Sequence, residues 1–406
     1  MALMTAIQTL SSPALDRSYA LLANLTPAQF LRRHWQKKPL LIRAAIRGFQ
    51  SPLSRRRLFA LARRSEVESR LVVRHSAEHW TLEHGPFKRY TFPDFDLPGW
   101  TLLVQGVNLH DAAAHALLQA FRFVPDARLD DLMTSWASEG GGVGPHVDSY
   151  DVFLLQAQGR RRWRIGRQKN PSFVAAAPLQ ILRRFTAEME YVLEPGDMLY
   201  LPPGWAHEGS AHGGECMTCS IGFHAPQRAA LAADLARRLA DDYADAALYR
   251  DPHLRPALRP AQIPHALQGF AADALQRLVE QPHALACALG ELLTEPKFGV
   301  VFDAAERDWI DGAVVLDRRT RMMYDERHVF INGECIRAAG KDARLLRRLA
   351  DERCLDARAV RDAGNAARAL LADWFAAGWL QPSASTVGGR ASARADGTLP
   401  CGERHR

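Results

Sequence analysis

Gly140-Gly141-Gly142-Val143-Gly144-Pro145-His146-Val147-Asp148-Ser149-Tyr150-Asp151-Val152-Phe153 runs straight into Leu154-Leu155-Gln156-Ala157-Gln158-Gly159-Arg160-Arg161-Arg162-Trp163-Arg164-Ile165. The two apolar runs, Asp151–Gln156 and Arg160–Ile165, flank Gln158-Gly159 in the manner of a β-hairpin. The same punctuation recurs downstream. Tyr191-Val192-Leu193 and Met198-Leu199-Tyr200-Leu201 flank Glu194-Pro195-Gly196-Asp197, and proline followed by glycine at the central positions is what a type II turn requires. Leu132 to Phe223 therefore reads as many short strands separated by Gly/Pro turns, which predicts a sandwich or a jelly-roll barrel.

On a strand, side chains alternate, so His146 and Asp148 share one face. A ring nitrogen beside a carboxylate oxygen supplies two-thirds of the facial triad that holds ferrous iron and leaves positions open. Of the 15 histidines, His207 is best placed to complete it. A strand leaves through Pro202-Pro203-Gly204, a rigid bend that fixes where the following histidine points. His212 and His224 lack this setting, and His110, His115 and His283 read as ordinary helix or loop residues. Iron in such a site commonly works with a 2-oxo acid, whose far carboxylate needs a cation. Parity selects Arg161: Arg160, Arg162 and Arg164 share a solvent face, whereas Arg161 shares the apolar face of Trp163 and Ile165. A guanidinium buried there must meet an anion.

The rest of the chain frames this barrel. Leu25-Thr26-Pro27-Ala28-Gln29-Phe30 predicts a helix start with Thr26 as N-cap and Gln29 closing a capping box. Trp35–Ile42 leads into a short strand, Trp100–Val107 reads as a buried strand, and Leu109–Phe121 as a helix. Pro226–Leu293 turns to alanine, leucine and arginine at helical spacing. Beyond Pro296, strand-like Arg321–Tyr324 and Val329–Gly333 precede helical stretches around Leu345–Arg353 and Asn365–Ala377, a pattern that fits a winged helix. Ser383–Arg406 has almost no apolar residues and reads as disordered. The formal charge of +7 is spread along the chain, so direct nucleic-acid binding is not expected. No apolar run reaches membrane-spanning length, the first residues lack a secretion signal, and six scattered cysteines suit a reducing compartment. The expected location is the cytoplasm. Cys216 and Cys219 form a C-x-x-C, but on a strand they face opposite sides and read as core residues.

The Gly-Pro-His-Val-Asp-Ser-Tyr-Asp-Val-Phe and Gly-Arg-Arg-Arg-Trp blocks, together with Leu102–Val107, Asp130–Ser135 and Leu199–Pro226, resemble the JmjC family of iron(II)/2-oxoglutarate oxygenases. Within it, the chain is most similar to bacterial ribosomal oxygenases that hydroxylate an arginine of large-subunit ribosomal protein L-sixteen. The resemblance implies an α+β chain: a double-stranded β-helix (the cupin/JmjC jelly roll) over residues 1–225, with its core at about 100–225, then a helical dimerisation region over 226–295. A winged-helix-like domain over 296–382 and a tail over 383–406 follow. It implies iron bound by His146, Asp148 and His207, and 2-oxoglutarate held by Arg161 and Ser135, with O2 as second co-substrate. It also implies that the target arginine lies between Met133 and Tyr150, near Asp131 and Ser220, and that the protein is a homodimer. A ribosomal histidine or a methyl-lysine is the alternative target; a non-catalytic cupin-type regulator is the alternative class.

Overall fold

The computed structural model describes residues 17–383, apart from 77–78, 169, 176, 242, 257, 282 and 306–311. Twelve strands build the N-terminal half: β1 (Leu40–Ile42), β2 (Ser69–Arg74), β3 (Trp80–His84), β4 (Trp100–Val104), β5 (Leu129–Ala137), β6 (His146–Val147), β7 (Asp151–Gln158), β8 (Arg161–Arg167), β9 (Met189–Leu193), β10 (Met198–Leu201), β11 (Trp205–Ala211) and β12 (Cys216–Phe223). Eight form a major sheet in the order β1-β10-β7-β12-β5-β4-β2-β3, and four a minor sheet in the order β6-β11-β8-β9. Neighbouring strands are antiparallel throughout.

Two sequence expectations need correction here. β7 and β8 are not a hairpin: β7 pairs with β10 and β12, whereas β8 pairs with β11 and β9. The Gly159 turn instead hands the chain from one sheet to the other. Gly159 sits at φ 61° against the Glu215 carbonyl, which a Cβ would meet at 2.2 Å, so the turn needs glycine. The Pro195-Gly196 turn makes the reverse crossing from β9 to β10, with Gly196 at φ 92°. Turn chemistry specifies a reversal of direction but not whether the next strand pairs with the last, and in a double-stranded β-helix it does not. The second correction concerns Leu109–Phe121. Asp111 divides it into two helices by accepting bonds from the Ala113 and Ala114 amides at 2.9 and 3.0 Å.

Four helices cover the outer face of the major sheet: α1 (Pro27–Arg33), α2 (Arg55–Leu61), α3 (Val107–His110) and α4 (Ala112–Gln119). Thr26 and Gln29 close the capping box of α1 as expected. Phe30, Leu58, Leu117 and Phe121 from these segments pack with Leu132, Trp136, Phe153, Leu155 and Ile221 into the largest core of the chain. Strand alternation sends the other residues inward. Val152, Leu154, Leu199 and Leu201 meet Trp163, Ile165 and Leu193 of the minor sheet and fill one end of the barrel. At the other end, the same parity turns Asp131, Met133 and Ser135 of β5 inward, with Thr218 and Ser220 of β12. The register pairs Met133 with Ser220 and Ser135 with Thr218. The barrel is thus plugged with hydrocarbon at one end and polar at the other.

The C-terminal half begins with α5 (Arg228–Asp241), α6 (His265–Glu280) and α7 (Ala284–Thr294). There follow β13 (Val314–Leu316), β14 (Met322–Tyr324), β15 (His328–Ile331), β16 (Glu334–Arg337), α8 (Gly340–Glu352), β17 (Cys354–Leu355), α9 (Ala357–Arg361), α10 (Asn365–Ala376) and β18 (Leu380–Pro382). Helices α8 and α10 pack with the sheet β14-β15-β16 around Leu346, Leu349, Leu371 and Trp374, a winged-helix arrangement. Strand β16 extends the expected hairpin to three strands. Of the expected disordered tail, residues 384–406 lie outside the described residues. Among the described residues no helix is long and apolar enough to cross a membrane.

Candidate active site

The polar end of the barrel opens onto His146, Asp148 and His207, whose ligand atoms all lie within 4.8 Å of one another. β6 and β11 pair His146 directly with His207, and their rings are 4.2 Å apart. Asp148 lies just beyond the end of β6 and presents its two oxygens to the two rings, 3.7 Å from His146 Nε2 and 3.5 Å from His207 Nε2. Each imidazole is oriented by its own backbone. His146 Nδ1 is 2.9 Å from the Gly144 carbonyl and His207 Nδ1 is 3.0 Å from the Trp205 carbonyl. A carbonyl only accepts, so both Nδ1 atoms carry the proton and both Nε2 lone pairs face the carboxylate. Burial, then the neighbouring His146, pushes His207 down to about 4, which keeps its ring neutral and ready to ligate. Two imidazole Nε2 atoms and one carboxylate side by side fit ferrous iron with open positions opposite.

Arg161 is only 4 % exposed. Its Nη1 donates to Ser135 Oγ at 3.1 Å and to Thr218 Oγ1 at 3.3 Å, and its Nη2 donates to the Gly209 carbonyl at 3.2 Å. Its Nε is buried with no hydrogen-bond partner, and among the described residues no carboxylate pairs with it. Desolvation accordingly lowers its pKa. A fixed, buried, uncompensated cation is a receptor for an anion. Between Arg161 and the triad stands Trp163, with the guanidinium 5.2 Å from its ring and the His207 ring 5.9 Å away. Gly209 permits this arrangement, because a Cβ there would lie 2.5 Å from the indole.

Asp131, Met133 and Ser220 line the same inward face further towards solvent. Asp131 accepts the Gly106 amide at 2.7 Å, and burial, reinforced by Asp130, pushes its carboxyl up to about 6. Tyr150 is 40 % exposed at the mouth, and its phenol is raised by burial and then by the charges of Asp148 and Asp131. The structure thus brings His146, Asp148 and His207 together, sets Arg161 against Ser135, and places Asp131, Met133, Ser135 and Ser220 on one inward face. Sequence reasoning passed over Thr218, which accepts from Arg161 and donates to Gln156 Oε1 at 3.1 Å, and over Trp163 as a spacer. The signal for Thr218 was available: it sits two residues before Ser220 on the same inward face. Its partnership with Arg161 depends on the register between strands, which a single sequence does not carry.

Residues 116–231 match the JmjC domain, and residues 275–381 match the ROXA-like winged helix. The chain is 39 % identical over 274 residues to the ribosomal protein uL16 3-hydroxylase of Escherichia coli (strain K12), covering 66 % of this chain and 71 % of that protein. It is 37 % identical over 213 residues to a probable ribosomal oxygenase of Haemophilus influenzae, covering 51 % of this chain and 52 % of that protein. The structure of YcfD, a ribosomal oxygenase from Escherichia coli in complex with cobalt and 2-oxoglutarate, superposes with a TM-score of 0.75 at 33 % identity, covering 88 % of this chain and 98 % of that one.

Proposed function

The chain belongs to the JmjC-domain ribosomal oxygenases, and from that premise we propose that it is an iron(II)- and 2-oxoglutarate-dependent hydroxylase of an arginine β-carbon in ribosomal protein uL16, the large-subunit protein L-sixteen. The observation that carries the reading is Arg161, a buried cation with no carboxylate partner set one indole ring away from three convergent metal ligands.

His146, Asp148 and His207 would hold the iron, which with 2-oxoglutarate and O2 supplies the oxidising chemistry that leaves succinate, CO2 and one hydroxyl on the target carbon. Arg161, steadied by Ser135, Thr218 and the Gly209 carbonyl, binds the distal carboxylate of 2-oxoglutarate and so fixes how far that molecule reaches toward the triad. Trp163 packs beside that path, against both Arg161 and His207, and keeps water from the inner wall. At the mouth, Asp131 offers a carboxylate to a guanidinium, the Tyr150 ring a face to stack on it, and Met133 and Ser220 a narrow wall beside it. The substrate arginine is then held by its charged end while its β-carbon points inward. This is catalysis by positioning.

Mass spectrometry of an arginine-containing uL16 peptide after incubation with iron, 2-oxoglutarate and O2 tests the proposal. The expected product carries one added oxygen on the arginine, with succinate formed in equal amount. Oxidation of a histidine peptide or demethylation of a lysine peptide, with the arginine peptide untouched, would refute the choice of target.

The reading extends to a homodimer formed through residues 226–295, following a catalytic unit over 1–225 and preceding a winged helix over 296–382. Leu248, Leu254, Leu258, Ile263, Leu275 and Val279 are all more than half exposed, an apolar load that a second copy would cover. Light scattering that returns a monomer mass would refute it. A ribosomal substrate places the protein in the cytoplasm.

A further inference from the structure

The six cysteines are scattered in sequence, yet two of them meet in space away from the catalytic barrel. Cys287 on α7, His328 on β15 and Cys335 on β16 bring two sulfurs and an imidazole nitrogen within 4.8 Å of one another. We propose that these three residues form a second metal site, for a thiophilic divalent cation of the zinc class, which clamps α7 onto the β15–β16 hairpin.

The backbone sets the three donors facing one another. β15 and β16 pair Phe330 with Cys335, so His328, Phe330 and Cys335 project from one face of the hairpin. Helix α7 lies against that face at the closest approach its backbone allows: a Cβ on Gly290 would fall 2.3 Å from the Phe330 ring. Cys287, three residues earlier on α7, is thereby brought to the sulfur of Cys335. His328 is prepared as a ligand in the same way as the catalytic histidines. Its Nδ1 lies 3.1 Å from an oxygen of Asp325, and Asp325 is itself held by the Arg327 and His328 amides at 2.7 and 2.6 Å. With the Nδ1 proton donated to Asp325, the Nε2 lone pair remains for a metal, the carboxylate–histidine arrangement that orients ligands in zinc sites.

Two thiolates and one imidazole form a soft donor set that selects zinc-like ions over magnesium or calcium. A tetrahedral ion with bonds of about 2.3 Å to sulfur holds its ligand atoms about 3.8 Å apart, so the present spacing closes by about 1 Å or less on binding. A water completes four-coordination. On binding, each thiol releases its proton to solvent and no electrons are exchanged. The site shares no residue with the catalytic triad, and the triad contains no sulfur.

That difference supplies the test. The full-length protein, reduced and freed of metal, is titrated anaerobically with Co2+. The expected result is a sulfur-to-cobalt charge-transfer band in the near ultraviolet whose plateau corresponds to one sulfur-bound cobalt per chain, reached by two equivalents because the sulfur-free triad also takes up cobalt. It should be lost in Cys287→Ser and in Cys335→Ser, while iron-dependent 2-oxoglutarate turnover on the arginine peptide is retained. If either variant fails to fold, alkylation of the native chain replaces it: two equivalents of Zn2+, enough to fill the triad as well, should slow modification of Cys287 and Cys335 by about tenfold or more. No sulfur band in the reduced protein, a band that survives in both serine variants, or thiols alkylated equally fast with and without Zn2+ would each overturn the proposal. So would a Cys287–Cys335 disulfide that forms in preference to metal binding in a glutathione buffer.

Discussion

Replacing Arg161 by methionine separates what the residue does for the fold from what it does for the ligand. In the ligand-free protein the guanidinium is buried without a counter-ion, a burden of several kcal/mol. Against this stand its three hydrogen bonds, to Ser135, Thr218 and the Gly209 carbonyl, each contributing about 1.5 kcal/mol. The two contributions nearly cancel, and methionine fills much of the same volume beside Trp163. Arg161→Met should therefore melt close to the native protein when neither has 2-oxoglutarate. Binding is the opposite case. Removing one partner of a buried ion pair costs about 3–5 kcal/mol, so the dissociation constant for 2-oxoglutarate should rise by about two to four orders of magnitude. Calorimetric titration with manganese in place of iron, without O2, measures it directly. In thermal melts, 2-oxoglutarate at a hundredfold excess over its native dissociation constant should stabilise the native protein by about 2.7 kcal/mol and the variant hardly at all. A variant that binds 2-oxoglutarate within about tenfold of the native protein would refute the assignment of Arg161. One that binds normally but unfolds more easily would show that its role is structural.

Three further outcomes follow from the geometry. Asp131 loses its charge below about pH 6, so KM for the arginine peptide should rise by up to about tenfold per pH unit below that point with kcat less affected; in Asp131→Asn, KM should be high at every pH, and an unchanged KM profile in the native protein would remove Asp131 from substrate recognition. His207 is neutral in the fold down to about 4, whereas the unfolded chain takes up its proton near 6.5. The metal-free protein should thus lose stability as pH falls through that window, by up to about 3 kcal/mol from this group, measured by urea unfolding on either side of it and compared with His207→Gln. Gly209→Ala places a methyl group 2.5 Å from the Trp163 indole and should destabilise by about 1–3 kcal/mol. It should also weaken metal and 2-oxoglutarate binding together, because the same ring contacts both subsites, and a change in only one affinity would contradict that coupling.

The chemistry of the site was more legible in the sequence than its architecture. Arg161 could be picked from the four arginines between positions 160 and 164 because strand parity is local and, of those four, only Arg161 shared a face with Trp163 and Ile165. His146 and Asp148 were visible for the same reason, and His207 because prolines announce a fixed bend. Turn residues were also read correctly as turns, yet Gly159 and Gly196 link strands in different sheets. Pairing is decided by contacts with β10, β11 and β12, which lie far along the chain. Asp111 stands among alanines and leucines, so periodicity alone carries a helix through it, although its side chain caps the second helix. The partnership of Thr218 with Arg161 and the Cys287–His328–Cys335 cluster were beyond reach on the same principle: each depends on the register between segments that nothing local specifies.

The exchange of strands between the two sheets also determines when the protein can first bind iron. Leu40 pairs with Tyr200, and His146 with His207, so the chain closes long loops before either sheet edge is complete. Such topologies fold slowly, on millisecond to second timescales, because loop-closure entropy is lost before the distant contacts reward it. A growing chain holds His146 and Asp148 well before it holds His207, and those two alone are an incomplete claim on a metal. Metal competence is therefore a late event in folding, and iron uptake by this chain is a readout of a closed barrel.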